Sequence, residues 1–454
     1  MEQKTMDMTR GPILKQMSVF ALPVLLGMLC QRIYNFADVY IVGRYLGDNA
    51  LAAVSISGVV MYLLFSLIMG LTTGVSVVIS QYYGAKNEQG IRATFVSSVY
   101  VALAGSILIT LLGLVTLDPL LRILQTSEEL MGDAKAYMYI IYAGSFATML
   151  YNWISAVLRS LGNSVIPFVF IIVSSILNVV LDIAFVSWIP MGVAGAAIAT
   201  VLSQLISGIA CLIYALKVLP VLRMKRREFG FQREISKQIL VYGMPTALQM
   251  SIISISDLAL QGVVNTYGTA MIVAYGVCTK VEGLGFQLAD AIGTAVGTFT
   301  GQNIGAGDLE RVEKGVNTGY LMNVICYGLF CPVVFLLASP IMKAFTDHPD
   351  SIRYGAEYMR MFSLFFLAGG ILVVYHNVLR ASGDVSFTVL IGVSEVVVRI
   401  CCAFLFPKLF GYFGLWLVSP ITWLCAMGVG GGRYYSGRWK NKAGNVVGQR
   451  GETR

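Results

Sequence analysis

Lys15–Pro23 reads KQMSVFALP, and Lys237–Pro245 reads KQILVYGMP. Lys15/Lys237, Gln16/Gln238, Val19/Val241 and Pro23/Pro245 share one offset of 222 residues. Working outward, the offset settles at 221 and pairs Ala53/Ala274, Gln81/Gln302, Gly84/Gly305, Ala85/Ala306, Tyr137/Tyr358, Leu158/Leu379, Arg159/Arg380 and Gly162/Gly383. Near the end of each copy it is 219, pairing Gly192/Gly411 and Gly195/Gly414. Small loop deletions in a duplicated gene leave drift of this size.

The 454 residues are 57% hydrophobic and 12% charged, with a mean hydropathy of +0.74. A soluble domain carries about 25% charged residues, so the chain reads as a polytopic membrane protein. Twelve apolar stretches, from 14–42 to 411–432, are long enough to cross a bilayer. The first is too long for a signal-peptide core and no small-residue cleavage site follows it, so it reads as an uncleaved span. Each copy holds six spans. An even number makes both copies enter and leave on the same side. The expected fold is therefore all-α, with twelve transmembrane helices in two parallel six-helix repeats about a pseudo-two-fold along the membrane normal. The expected divisions are an N-terminal lobe 1–219, a basic linker 220–236, a C-terminal lobe 237–436 and a polar tail 437–454.

The net charge of +8 does not point to nucleic acid. With both termini placed in the cytoplasm, inside segments hold 22 of the 32 Lys and Arg, and outside loops hold 7. That asymmetry is the orientation signal of a multi-pass protein in a plasma (inner) membrane, expected to be prokaryotic. The linker run R-M-K-R-R-E from Arg223 is part of this signal. The eight cysteines fall in apolar runs without C-x-x-C spacing, so neither a disulfide framework nor a metal-site pattern is expected. No phosphate loop, G-x-S-x-G or H-E-x-x-H motif is present, and an enzyme is not expected. His348 and His376 share no obvious partner. Internal repeats in an apolar chain are instead a signature of secondary transporters working by alternating access.

A charge at the bilayer centre costs at least about 2.5–3.5 kcal/mol, so each intramembrane acid is a functional candidate. Asp38 follows Asn35 by three residues, on one helix face, in a helix that Pro23 allows to bend. Asp182 follows Asn178 by four. An amide and a carboxylate on one face could hold Na+ or relay a proton. Asn152 and Thr200 are further polar groups at mid-span depth. Under the 221 offset Asn178 maps to Arg399 and Asp182 to Ala403, which places the expected cation site in the first lobe. Glu282 is expected to face a wet cleft as a proton or substrate carboxylate, and Asn35 and Asp257 are the other substrate-cavity candidates. Glu395 and Arg399, four apart, are expected to form an intrahelical ion pair.

Several motifs together carry a resemblance. These are Pro23 with Asn35 and Asp38, VGRYLGDNALAAV (42–54), QYYGAK (81–86) and its image QNIGAG (302–307). LRSLGN (158–163), LRASGD (379–384), LNVVLD (177–182) and GVAGAAIAT (192–200) complete the set. The chain resembles the multidrug and toxic compound extrusion (MATE) family, more the DinF-like branch than the NorM-like one. The resemblance implies export of cationic, amphipathic compounds in exchange for inward H+ or Na+. It also implies a first-lobe cavity carrying Asp38, Asn152, Asn178, Asp182 and Thr200. A Na+ ion would be held by Asp182, Asn178, Asn152 and Thr200. The implied partners are small organic cations and the lipid bilayer, with no cofactor beyond the coupling ion and a monomeric state. A lipid-linked precursor flippase of the same architecture is the alternative.

Overall fold

The computed structural model describes residues 5–224 and 230–451, all helix and connecting turns. Part of the basic linker, residues 225–229, lies outside the described residues, as do 1–4 and 452–454.

The first repeat contains α1 (Ile13–Leu46), α2 (Asp48–Gly84), α3 (Glu88–Ile123), α4 (Glu128–Ala143), α5 (Ser145–Ser160), α6 (Val165–Asp182) and α7 (Gly192–Val218). The second contains α8 (Arg233–Asn265), α9 (Thr269–Gly305), α10 (Leu309–Lys343), α11 (Pro349–Ala381), α12 (Val385–Phe410) and α13 (Phe413–Tyr435). Each of the twelve expected spans has its helical counterpart, with α4 and α5 together forming the fourth. Among the described residues, ten helices are long and apolar enough to cross a membrane, or eleven when the α4–α5 pair, bent by 47°, counts as one span. The 37-residue α9 is the twelfth, made less apolar by Lys280, Glu282, Gln287 and Asp290.

Gly144 lies at the junction of α4 and α5. A Cβ on Gly144 would lie 2.3 Å from Val201 Cγ2, so only glycine lets α7 approach there.

The duplication is written into the backbone. Left-handed glycines recur in repeat-related pairs: Gly47 (φ 86°) with Gly268 (89°), Gly162 (82°) with Gly383 (83°), and Gly192 (62°) with Gly411 (61°). Helix caps recur as well. Asn87 accepts from the Gly90 amide at 2.8 Å, and Asp308, 221 residues on, accepts from the Arg311 amide at 2.9 Å.

The helices fall into two compact units. Unit 1 takes in Leu22–Ala247 together with the N-terminal residues up to Asp7, and unit 2 takes in Met8–Ala21 and the chain from Leu248. The helices that carry the opening repeat change unit beside their prolines, α1 at Ala21/Leu22 and α8 at Ala247/Leu248.

In unit 1, Trp153 packs on Phe95 and donates its indole N–H to Ser98 Oγ at 2.8 Å, which satisfies the one polar atom of a buried ring. Unit 2 is built around α11. Its Tyr358, Phe362 and Phe366 recur every four residues, on one face, and meet Trp416 and Trp423 of α13 and Phe286 of α9.

The stretch set aside as a polar tail carries α14 (Arg438–Gly451). Its Trp439 is buried, stacks on Tyr434 at 5.6 Å and donates to the Tyr434 carbonyl at 3.1 Å.

Candidate functional site

Asp38 of α1 and Asp182 of α6 come within hydrogen-bonding reach of one another. Both lie in unit 1. Their exposures are 8% and 0%, and Asn178, one turn before Asp182, is 1% exposed. Tyr34 of α1 and Tyr137 of α4 are buried within electrostatic reach of both carboxyls, and Tyr34 bonds to Gln31 and to Gln204 of α7. Asn178 Nδ2 donates to Thr200 Oγ1 at 3.4 Å, and Thr200 in turn donates to the Ala196 carbonyl at 3.1 Å.

The polar atoms left over are all oxygens. Asp38 Oδ1, both carboxyl oxygens of Asp182, Asn178 Oδ1 and Gln204 Oε1 are buried without a hydrogen-bond donor. Buried acceptors without partners are costly, so an arrangement of this kind calls for a guest that offers positive charge. A hydrogen bond between two carboxyls needs a proton on one of them. A monovalent cation between them would answer the same deficit, and carboxylate, amide and hydroxyl oxygens suit a hard ion.

The local backbone is unusual at the same place. α6 passes directly after Asp182 into a π-helical turn, Ile183–Trp188. Such widened turns are frequent at functional positions, because they interrupt the regular hydrogen-bond ladder and re-aim side chains.

The candidates read from sequence are partly brought together. Asp38, Asn178, Asp182 and Thr200 form one cluster. Asn152 instead turns back on its own helix, with Nδ2 donating to the Thr148 carbonyl at 2.8 Å. Asn35 was expected to share a face with Asp38, but it is exposed, and Tyr34 fills the buried face. Residues four apart are rotated by only about 40° on a 3.6-residue helix, against about 60° for three, and here the narrower pair is buried.

Glu282 and Asp257 belong to unit 2. Tyr358 donates to Glu282 Oε2 at 3.1 Å and sits 3.3 Å from Ser419 Oγ, with Tyr275 and Trp416 stacked on its ring. Asp257 is paired with Arg399, which also donates to Ser256 Oγ at 3.3 Å. This corrects the expected Glu395–Arg399 pair: Arg399 reaches from α12 to α8 rather than along its own helix. His376, which had no partner in the sequence reading, meets Gln249 at 3.0 Å.

Tyr34, Tyr137 and Gln204 were missed as members of the first cluster. The signals were present. Tyr34 stands four residues before Asp38, Gln204 stands four after Thr200, and Tyr137 is one of the repeated positions.

The comparisons with known proteins agree with the doubling. The family model described as MatE matches twice, over residues 23–184 and 245–405. "Probable multidrug resistance protein YpnP" of Bacillus subtilis is 32% identical over 443 residues, covering 96% of this chain and 98% of that one. "Probable multidrug resistance protein NorM" of Thermotoga maritima is 26% identical, covering 95% and 94%. A solved structure described as MATE in complex with MaL6 superposes with a TM-score of 0.89 at 25% identity, covering 96% and 99%. With both repeats matched and a relative aligned over nearly its whole length, the chain belongs to the MatE family of multi-pass membrane proteins.

Proposed function

We propose that this chain is a secondary active antiporter of multidrug-efflux type. It exports cationic, amphipathic compounds in exchange for inward H+ or Na+, by alternating access of an N-terminal lobe (1–219) and a C-terminal lobe (237–436) joined by the linker 220–236. The observation that carries the reading is the Asp38–Asp182 pair, buried together with oxygens that lack donors.

Binding of the coupling ion neutralises the pair and removes its attraction for a bound organic cation. Asn178 and Thr200 orient oxygens toward the ion. Asn152 would join only if its side chain left the Thr148 carbonyl, and Asn35 would meet substrate rather than ion. Glu282 and Asp257 remain candidates for the substrate path. Each charge entering down a potential of about 100 mV yields about 2.3 kcal/mol, enough to drive net export. The names of the relatives supply the substrate class, and the first-lobe position of the acids supports the DinF-like branch. The protein would act as a monomer in the inner membrane of a prokaryotic cell, with both termini cytoplasmic and no cofactor beyond the ion. The flippase alternative is not favoured by these relatives.

Dye efflux from proteoliposomes under an imposed pH gradient, then under an imposed Na+ gradient, tests the proposal. Export driven by one gradient and lost in Asp38→Asn and Asp182→Asn is expected. Undiminished efflux in both variants would sink the assignment.

A further inference from the structure

The end of the second repeat departs from the end of the first. After α7 the first repeat continues, among the described residues, into a single 3-10 turn, Pro220–Leu222. After α13 the second continues into the 14-residue α14. Under the 219 offset Trp439 answers to Pro220 and Lys440 to Val221, so α14 is not inherited scaffold.

The place of α14 follows from the span before it. α13 is long and apolar enough to cross a membrane, and it ends at Tyr435. Tyr435 is 73% exposed, as suits an aromatic ring at the level of the headgroups. Gly437, at φ 70°, turns the chain, and α14 begins at the next residue. The helix therefore starts at the edge of the apolar layer. It packs against α13 and α9, and Lys440 pairs with Glu313 near the start of α10.

This docking fixes which residues of α14 look outward. Trp439 and Ala443, four apart, are 1% and 0% exposed, and Trp439 is held by the Tyr434 ring and carbonyl. Arg438 and Lys442, also four apart, form the neighbouring row and are exposed. The acids close by are engaged elsewhere. Glu313 holds Lys440, Glu310 accepts from Lys314 at 2.6 Å, and Asp384 accepts from Arg433 at 2.6 Å. Among the described residues neither Arg438 nor Lys442 has an acidic partner. From 438 to 451 the chain carries Arg438, Lys440, Lys442 and Arg450 and no acid.

We propose that α14 is an interfacial helix whose Arg438 and Lys442 bind the phosphate of an anionic phospholipid headgroup. Charge and depth together carry the assignment. The attraction of an anionic leaflet reaches about one Debye length, roughly 10 Å at 0.1 M salt, and a helix that starts at the end of a span lies within it. Arginine offers a planar fork of N–H donors to phosphate oxygens, and the lysine adds a point charge one turn away. A basic tail that serves only to orient the chain needs charge alone. It needs neither a buried tryptophan to set its rotation nor two unpaired cations in one row. The site lies within unit 2 and does not depend on the roles of Asp38 and Asp182.

The test is native mass spectrometry of the full-length protein in detergent with equimolar phosphatidylglycerol and phosphatidylcholine, counting the lipids retained. Preferential retention of phosphatidylglycerol is expected, and Arg438→Gln/Lys442→Gln should lower the preference about fivefold. Trp439→Ala, which undocks the helix with its charges intact, should lower it as well. Lys343→Gln/Lys408→Gln removes two exposed lysines in the last turns of α10 and α12, at the opposite ends of those helices, and should leave the preference unchanged. No preference in the parent protein, a preference that survives Arg438→Gln/Lys442→Gln, or equal losses in the two double variants would overturn the proposal. Loss of the bound lipid to inorganic phosphate at constant ionic strength would show a site for a free anion and overturn the lipid assignment. Thermal unfolding of each variant establishes that lost lipid is not a lost fold. The readout does not involve transport, so this site and the efflux reading fail separately.

Discussion

Tyr137 and Tyr358 stand 221 residues apart at equivalent places in the two repeats, and each is buried near an acid. Tyr137 lies within electrostatic reach of Asp38 and Asp182, while Tyr358 donates to Glu282 at 3.1 Å. The acids themselves are not equivalent: Glu282 answers to Met61, and Asp182 to Ala403. The tyrosine belongs to the inherited scaffold, and the carboxylates reached it from different helices.

Asp38→Asn and Asp182→Asn are each expected to lower gradient-driven efflux at least tenfold while the protein still reaches the membrane. Asn152→Ala should have a smaller effect than Asn178→Ala, because Asn152 is tied to its own helix and Asn178 lies beside Asp182. Initial rates in proteoliposomes at matched protein content check both statements.

Tyr358→Phe removes the donor to Glu282 Oε2 and leaves the stacked rings in place. An acceptor stripped of its donor costs about 1–3 kcal/mol. A lowered unfolding temperature in detergent is expected, and Tyr358→Phe combined with Glu282→Met should recover most of it.

Gly144→Ala puts a methyl group 2.3 Å from Val201 Cγ2 at the α4–α5 bend. Overpacking of this kind costs about 1–3 kcal/mol. Val201→Ala in the same chain should restore much of the loss. Thermal unfolding of the single and double variants reads the compensation.

Arg399 is 7% exposed at its side chain, and its partner Asp257 is 58% exposed. Asp257→Leu strands a buried guanidinium, so it should destabilise more than the paired change Asp257→Leu/Arg399→Met. A double-mutant cycle with a coupling of about 1 kcal/mol or more is expected. Zero coupling would show that the pair contributes nothing.

The spans, their number and the doubling were legible because each is a local or a periodic property. A helix satisfies its backbone hydrogen bonds within about four residues, and a bilayer demands about 20 apolar residues per crossing. Composition along the chain therefore suffices to place them. The close approach of α7 at Gly144 was not legible, because it joins residues 57 positions apart in the chain. Arg399 was misassigned for a related reason. Four-residue spacing makes a pair with Glu395 geometrically open, but the choice between Glu395 and Asp257 belongs to the packing of α8 and α12.

By itself the sequence determined an all-helical membrane chain in two copies, and it singled out the acids that a bilayer would tolerate only for a purpose. The tertiary structure decided which of them meet. Asp38 and Asp182 lie 144 residues apart, and their proximity depends on how α1 and α6 pack within unit 1. Electrostatic pairing falls off with distance in space, and a helical periodicity encodes distance only along its own axis.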